Sequence, residues 1–266
     1  MLIDTAVVYT DSAIAKQAET LAFQLKLPLA QPGQLHELLL RCTPDGLELL
    51  KPDDPHLSGP VRVDFTAGAA AFRRKQQGKE LLLRAVGCKI GRPLAVAVID
   101  ATGGLGRDSF LLAAAGCTVQ IFERQPILAA LLADGLERAR QCRETAQIAE
   151  RIQLFVGDAV SALHKMQERG QHAAVIYLDP MFPERRKSAL VKKEAQMLQL
   201  LASAEAADEA QLLAAALAVG KRVVVKRPVK ATCIAGPAPS HAVIGKTVRF
   251  DVYLHTTSNL KKANAE

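Results

Sequence analysis

Asp100-Ala-Thr-Gly-Gly-Leu-Gly-Arg-Asp108 is the stretch of the sequence that decides the fold. It follows directly on the apolar run of residues 95–99 and leads into a helical pattern that begins near Gly106. Glycines at such a junction permit a tight turn, and the N-terminus of the helix offers unpaired N–H groups to a ligand. The stretch therefore predicts a strand, turn and helix that bind a nucleotide-like cofactor through Asp100, Gly103, Gly104 and Gly106. A nicotinamide or flavin enzyme uses the same kind of turn, and so does a purely structural junction.

Outward from this turn, short apolar runs alternate with helical patterns. Such alternation is typical of βαβ units with a parallel sheet and right-handed crossovers. Two final runs lie close enough for an antiparallel hairpin that closes the sheet. We therefore expect an α/β, Rossmann-like fold with a mainly parallel seven-stranded sheet. The expected strands are residues 95–99, 118–122, 152–156, 173–178, 222–225, 241–244 and 247–255, and the expected helices begin at Gly106, Pro126 and Ala159 and cover residues 194–219.

The first 60 residues predict a small N-terminal α/β subdomain. Asp11 or Ser12 can cap a helix that runs to Leu25 and stops at Pro28. The turn Thr43-Pro44-Asp45-Gly46 separates two strand-like runs and predicts a hairpin. Residues 52–60 are rich in Pro, Asp and Gly, which favours a linker there. The expected organisation is a subdomain of residues 1–60, a catalytic domain of residues 61–255 and a polar tail of residues 256–266. Further expected elements are a strand at residues 6–9, an extended piece at 61–65 and a helix at 69–86.

The composition of the 266 residues excludes several classes of protein. The five cysteines are scattered and contain no C-x-x-C pair, so neither a disulfide framework nor a zinc site is indicated, and no metal is expected. The apolar runs are too short to span a bilayer, and the N-terminus does not resemble a secretion signal. We therefore expect a cytoplasmic protein, taken as a monomer. A net charge of +7 favours a polyanionic partner.

Acidic residues follow two further strands of the predicted sheet. Glu123 comes about twenty residues after the glycine turn, where a carboxylate conventionally accepts hydrogen bonds from ribose hydroxyls. Asp158 and Ala159 follow the third strand, from which a carboxylate can meet an adenine amino group. A surface glutamate at a strand end and an aspartate that caps a helix are the structural alternatives.

The loop Asp179-Pro180-Met-Phe182-Pro183 after the fourth strand discriminates between these functions. Its two prolines make it stiff and leave carbonyl groups available as acceptors. The exocyclic amine of a nucleobase is a poor nucleophile, because its lone pair is delocalised into the ring. A carboxylate and a backbone carbonyl that accept its N–H groups would localise that lone pair, and Phe182 would stack on the base. The loop therefore predicts a methyltransferase acting on a nucleobase amine, with Asp179, Pro180 and Phe182 as catalytic residues.

Cations cluster in sequence around this proposed site and predict an RNA-binding surface. Their alternative interpretation is a solvated charged face. The predicted RNA-binding residues are Arg73, Arg74, Lys75, Arg185, Arg186, Lys187, Lys226 and Arg227.

Taken together, the motifs resemble the bacterial family of ribosomal RNA small subunit methyltransferase J. The resemblance rests on Val63-Asp-Phe-Thr-Ala-Gly-Ala69, Phe72-Arg-Arg-Lys75, the stretch 100–108, Phe122-Glu-Arg124, Asp179-Pro-Met-Phe-Pro183 and Val225-Lys-Arg-Pro228. It implies a class I fold that uses S-adenosylmethionine to methylate N2 of a guanine in 16S rRNA of the small ribosomal subunit. The cofactor contacts that it implies are Arg107, Asp108, Glu123, Arg124, Asp158, Ala159 and Asp179.

Two other classes of function stay open from the residues themselves. A nicotinamide-dependent oxidoreductase would use the glycine turn and Glu123, although Ser109 stands where its usual fingerprint has a third glycine. A non-catalytic RNA-binding or ribosome-assembly protein could keep the fold, but it would have no need of the loop that begins at Asp179.

Overall fold

The computed structural model describes residues 3–31, 34–52, 59–67, 81–88, 96–180, 197, 200–201 and 209–255. The strands of these residues are β1 (Thr5–Tyr9), β2 (Leu38–Thr43), β3 (Gly46–Leu50), β4 (Ala97–Asp100), β5 (Thr118–Glu123), β6 (Ile152–Val156), β7 (Val175–Leu178), β8 (Arg222–Pro228), β9 (His241–Ile244) and β10 (Val248–Leu254). The helices are α1 (Ala15–Leu25), α2 (Leu81–Ala85), α3 (Arg107–Ala114), α4 (Pro126–Gln141), α5 (Ala146–Ala149), α6 (Ala159–Glu168) and α7 (Glu209–Val219).

The N-terminal unit forms a three-stranded sheet in the order β1-β2-β3, with β1 parallel and β3 antiparallel to β2. The predicted hairpin is confirmed. Asp11 caps a short 3-10 helix, Ser12–Ile14, by accepting the Ala13 N–H at 2.9 Å. Helix α1 ends at Leu25, as predicted, and its C-cap Lys26 has a left-handed conformation, so the helix stops before Pro28 is reached. Within residues 61–65, Val61 forms an isolated antiparallel bridge with Leu49.

The larger sheet has seven strands in the order β6-β5-β4-β7-β8-β10-β9. Strands β4 to β8 pair in parallel, and β10 pairs antiparallel with both β8 and β9. This confirms the class I Rossmann-like prediction. The chain continues from β4 to β5 on one side of the β4–β7 pair and from β7 to β8 on the other. In open α/β sheets, ligands bind at the carboxyl edge where the strand order reverses in this way, and we call this edge the crevice.

Alternate residues of the parallel strands enter two hydrophobic clusters, one on each face of the sheet. Val98, Tyr177 and Val224 belong to one cluster, and Ile99, Ile176 and Val225 belong to the other. Burial on both faces explains why the strands are apolar almost throughout. The first cluster also contains Val7, Leu38 and Leu40 of the N-terminal unit, so the small sheet packs on this face.

Several expected elements fall partly outside the described residues. Helix α2 lies at the end of the expected helix 69–86, and α7 lies at the end of the expected helix 194–219. Most of the predicted linker at 52–60 and all of the tail at 256–266 lie outside the described residues. The division into domains at residue 60 therefore stays a prediction.

Replacing Gly106 by alanine is expected to destabilise the fold by about 2–3 kcal/mol. Gly106 precedes α3 with a φ of 69°, and a Cβ atom there would lie 2.5 Å from Leu132 Cδ1. Gly116 has a φ of 100° but no atom within 4 Å of such a Cβ. Gly116→Ala is therefore the control for backbone strain alone and is expected to cost about 1 kcal/mol. Urea denaturation compares the two variants, and equal losses would show that the Leu132 contact is unimportant.

Candidate active site

The glycine turn lies against the neighbouring strand β5. The Gly103 N–H donates to the Phe122 carbonyl at 3.0 Å, and a Cβ on Gly103 would lie 2.5 Å from Ile121 Cγ2. The close approach explains why this position takes no side chain. A Cβ on Gly104 would meet only the Thr102 carbonyl at 3.9 Å, so the turn is open on that side. The turn is therefore fixed against the sheet at Gly103 and accessible at Gly104.

Asp100, at the end of β4, is a buried acid that organises this turn. Its carboxylate accepts the Thr102 N–H at 3.0 Å and the Ser109 hydroxyl at 2.5 Å, and it is 2% exposed. The pKa of Asp100 is raised to about 7, chiefly by burial and also by the charges of Asp108 and Asp179, which together outweigh the lowering effect of the Ser109 and Thr102 donors. Ser109, which the sequence showed only as a departure from the nicotinamide fingerprint, joins the start of α3 to the end of β4.

Asp100→Asn is expected to stabilise the protein by about 1–3 kcal/mol at pH 8 and to have little effect at pH 4. The folded protein binds the Asp100 proton up to about pH 7, whereas the unfolded chain releases it near pH 4. Stability is therefore lost as the pH rises through this window, and a neutral amide removes that loss. Thermal unfolding between pH 4 and pH 8 measures the difference.

Asp158→Asn is the control of opposite sign for the Asp100 experiment. Burial alone would raise the pKa of Asp158, but bonds from Ser161 and the charge of Arg124 lower it overall. Its ionised form is thus favoured in the folded protein, and the amide should destabilise near neutral pH. An Asp100→Asn variant that follows the pH dependence of the wild type would contradict a raised pKa at Asp100.

Glu123 ends β5 beside the glycine turn. Its carboxylate accepts the Gly104 N–H at 2.6 Å and the Gln125 N–H at 2.8 Å, one on each oxygen. The residue is 7% exposed, and burial raises its pKa against the effect of these donors. The neighbouring Arg124 is exposed, and its charge acts on both Glu123 and Asp158. The structure thus brings together the predicted residues of the first two strand ends.

Asp158 caps helix α6, which is the structural role that the sequence analysis gave as the alternative to an adenine contact. Its carboxylate accepts the Ser161 N–H at 2.9 Å and the Ser161 hydroxyl at 2.8 Å. Ala159, the first residue of the helix, is buried. Both residues lie after β6, beside the end of β5, and their contact with an adenine stays a prediction.

Asp179 lies across the crevice from the glycine turn and is tied to it through the backbone. Its N–H donates to Thr102 Oγ1 at 2.6 Å, and its carboxylate accepts Lys226 Nζ at 2.8 Å. The same ammonium donates to Asp108 at 2.8 Å, and the buried Tyr177 hydroxyl donates to Asp108 at 2.7 Å. Asp108, Tyr177, Asp179 and Lys226 therefore form one hydrogen-bonded network, which we call the Lys226 network.

The assignment of Lys226 and Arg227 to the RNA backbone does not fit their surroundings. Lys226 is bound to two carboxylates at the crevice. The Arg227 side chain is 2% exposed and donates to Glu209 at 2.8 Å and to the Thr232 carbonyl. A buried, fully engaged guanidinium cannot reach a phosphate. Successive residues of a strand point to opposite faces, and so two neighbouring cations have different partners.

The remaining predicted residues have the following places. Arg107 is exposed at the start of α3, and Pro180 is half-buried after Asp179. Phe182, Arg73, Arg74, Lys75, Arg185, Arg186 and Lys187 lie outside the described residues. Thr102, Ser109 and Tyr177 were missed by the sequence analysis. Tyr177 could have been noticed as a hydroxyl in an otherwise apolar strand next to Asp179.

The described residues contain neither a membrane-spanning helix nor a cluster of metal ligands. None of their helices is long and apolar enough to cross a membrane. Within the same residues, no group of three or more His, Cys, Asp or Glu side chains is arranged to hold a metal ion.

Comparison with known proteins gives consistent matches. A family model described as "Putative SAM-dependent methyltransferase" matches residues 20–255. The chain is similar to ribosomal RNA small subunit methyltransferase J of Thioalkalivibrio sulfidiphilus, with 46% identity over 92% of this chain and 96% of the relative. The enzyme of the same name from Pseudomonas fluorescens Pf0-1 is 47% identical over 89% of each chain.

Among solved structures, a SAM-dependent methyltransferase from Neisseria gonorrhoeae matches with a TM-score of 0.74 and 35% identity, covering 96% of this chain and 99% of the other. These matches favour the methyltransferase prediction over the nicotinamide alternative.

Proposed function

This chain belongs to the ribosomal RNA small subunit methyltransferase J family of SAM-dependent methyltransferases, and we propose that it methylates N2 of a guanine in 16S ribosomal RNA. The observation that carries the proposal is the position of Asp179. Its carboxylate lies at the carboxyl end of β7, tied to the glycine turn through Thr102 and to Asp108 through Lys226. A fixed acceptor at this edge suits an amine that must be held beside the cofactor.

The residues at the crevice fit S-adenosylmethionine. Each Glu123 oxygen accepts one backbone N–H, and a carboxylate can accept about four hydrogen bonds, so it can also receive ribose hydroxyls. Asp108 and Asp179 provide negative charge near the turn, which suits the positively charged end of the cofactor. We assign the ribose to Glu123, the adenine to the end of β6 at Asp158 and Ala159, and the remaining contacts to Arg107, Asp108, Arg124 and Asp179.

The bound cofactor supplies an electrophilic methyl group on a sulfonium. The task of the protein is then to aim the amine. In our proposal the Asp179 carboxylate and the Pro180 carbonyl each accept one N–H of the guanine amine, which localises the nitrogen lone pair along the line of attack. Asp179 also accepts the proton that the amine loses and releases it to water. Phe182 would stack on the base after it has left its helix.

Small-subunit rRNA from a strain that lacks this protein is the substrate that tests the proposal. The purified protein and S-adenosylmethionine with a labelled methyl group are expected to label that RNA and to yield N2-methylguanosine on nucleoside analysis. RNA from the parent strain, already modified, is the matched control and should accept little label. Cofactor binding without any labelled nucleoside would favour a non-catalytic assembly protein and overturn the proposal, and a different methylated nucleoside would overturn the guanine N2 assignment.

A further inference from the structure

Lys226 lies near the carboxyl end of β8 and has two acidic partners. It extends from β8 on the same face of the sheet as Val224, and this is the face that Tyr177 of β7 also enters. The register of β7 and β8 pairs Leu178 with Val225, so Lys226 and Asp179 come level at the carboxyl edge. The strand alignment therefore directs the lysine to Asp179, and α3 brings Asp108 to the same ammonium.

We propose that Lys226 is a positioning residue for methyl transfer, which fixes the carboxylates of Asp108 and Asp179 in the crevice by bridging them with one ammonium. The inference rests on the function proposed above. It assigns Lys226 to the acceptor of the amine and removes it from the RNA-binding surface.

The charges of the network show what the bridge does. The Asp108 and Asp179 side chains are 12% and 39% exposed, and each has an oxygen 2.8 Å from Lys226 Nζ. Two carboxylates so close together repel each other when both are ionised. The ammonium compensates this repulsion, and its two directed hydrogen bonds limit the rotation of both side chains.

The protonation of the Lys226 side chain supports the same positioning role. Burial by itself lowers the pKa of Lys226, but the two carboxylates outweigh it and raise the pKa overall. The amine therefore stays protonated at neutral pH, so it cannot accept the proton that the guanine amine releases. Lys226 acts through Asp179 and Asp108 rather than on the reacting atoms.

Lys226→Gln tests the bridge, with Lys230→Gln as the matched control. Lys230 lies four residues further on and is exposed, so its loss removes the same charge from outside the network. We expect Lys226→Gln to lower kcat about 100-fold and to leave the affinity for RNA within about twofold. Lys226→Arg keeps the charge and should recover at least about tenfold of that loss. Lys230→Gln should keep kcat within about twofold.

A melting experiment without cofactor or RNA gives an independent readout. Loss of the ammonium leaves two carboxylates facing each other, so Lys226→Gln should lower Tm by roughly 5 °C at pH 8. Proton uptake by the carboxylates relieves the repulsion at pH 5, where the loss should be half or less. Should Lys226→Gln fail to fold at pH 8, its Tm is compared with that of Lys230→Gln at pH 5, where a marked recovery supports the bridge and an equal loss at both pH values overturns it.

The rival role for Lys226 is a contact to an RNA phosphate. That role predicts weaker RNA binding, a salt dependence reduced by about one released counterion and an unchanged kcat. This outcome, or a kcat and Tm equal to those of Lys230→Gln, would overturn the proposal. Failure of the wild type to form N2-methylguanosine would instead refute the proposed function, while the pH dependence of Tm would still report whether Lys226 bridges the carboxylates.

Discussion

Replacing Asp179 by alanine is expected to lower kcat for methyl transfer about 1,000-fold, because the amine loses the carboxylate that holds it in line. Asp179→Asn keeps one carbonyl oxygen as an acceptor but loses the charge that pairs with Lys226. We expect kcat of Asp179→Asn to be about 30-fold below that of the wild type, which is a smaller loss than that of the alanine variant. Single-turnover transfer to unmodified small-subunit rRNA, with both substrates saturating, measures the effect on chemistry separately from binding.

The control for the Asp179 variants is Asp11→Ala. Asp11 is likewise an aspartate whose carboxylate accepts a hydrogen bond, from the Ala13 N–H, but it lies on the N-terminal unit, before the 3-10 helix. Its replacement should leave kcat within about twofold while costing up to about 1 kcal/mol of stability. The affinity for S-adenosylhomocysteine, measured by calorimetry, reports whether each variant still forms the cofactor site. An Asp179→Ala protein that binds this product and keeps a normal rate would refute the assigned mechanism.

The order of elements and the position of the crevice could be predicted from the sequence because they depend on local patterns. The stretch 100–108 contains the glycines that its turn requires. For two of these glycines, the structure shows why no other residue fits, and the reason differs between them. Gly103 is needed for the close approach to Ile121, and Gly106 for the positive φ before α3. The alternation of short apolar runs with helical patterns predicted a mainly parallel seven-stranded sheet, and the structure confirms it.

The partners of the charged residues could not be predicted in the same way. Lys226 and Arg227 are adjacent in sequence, yet their acidic partners lie far along the chain: Asp108 and Asp179 are 118 and 47 residues from Lys226, and Glu209 is 18 residues from Arg227. Strand β8 is buried on both faces and therefore shows no polar alternation that would mark which face each cation enters. Only the assembled sheet separates the two roles.

Asp100 is a second residue whose role could not be predicted from the sequence pattern alone. An aspartate before a glycine turn suggests a ligand contact, whereas the structure shows it buried and bonded to Thr102 and Ser109. Its raised pKa follows from burial, which depends on the packing of α3 over the end of β4. The acid thus supports the shape of the cofactor turn, and its own contact with the cofactor stays a prediction.

Replacing Arg227 by methionine is expected to destabilise the protein by about 3–5 kcal/mol and to lower Tm by roughly 10 °C. The methionine fills part of the space but leaves Glu209 without its guanidinium and the Thr232 carbonyl without its donors. The buried position of Arg227 makes these losses large, because water cannot replace the missing partner. Thermal unfolding of the variant, checked for reversibility, measures the effect.

The control for Arg227→Met is Lys221→Met, which removes an exposed cation just before the same strand and should change Tm by about 1 °C. Glu209→Gln should cost less than Arg227→Met, because the amide oxygen can still accept from the guanidinium. The variant that carries both Arg227→Met and Glu209→Gln then isolates the coupling free energy of the pair.

Since Arg227 faces α7 and not the crevice, its loss should leave the RNA affinity of the folded protein unchanged. Normal stability combined with weakened RNA binding would instead restore Arg227 to the RNA-binding surface and would mean that its ion pair with Glu209 does not form in solution.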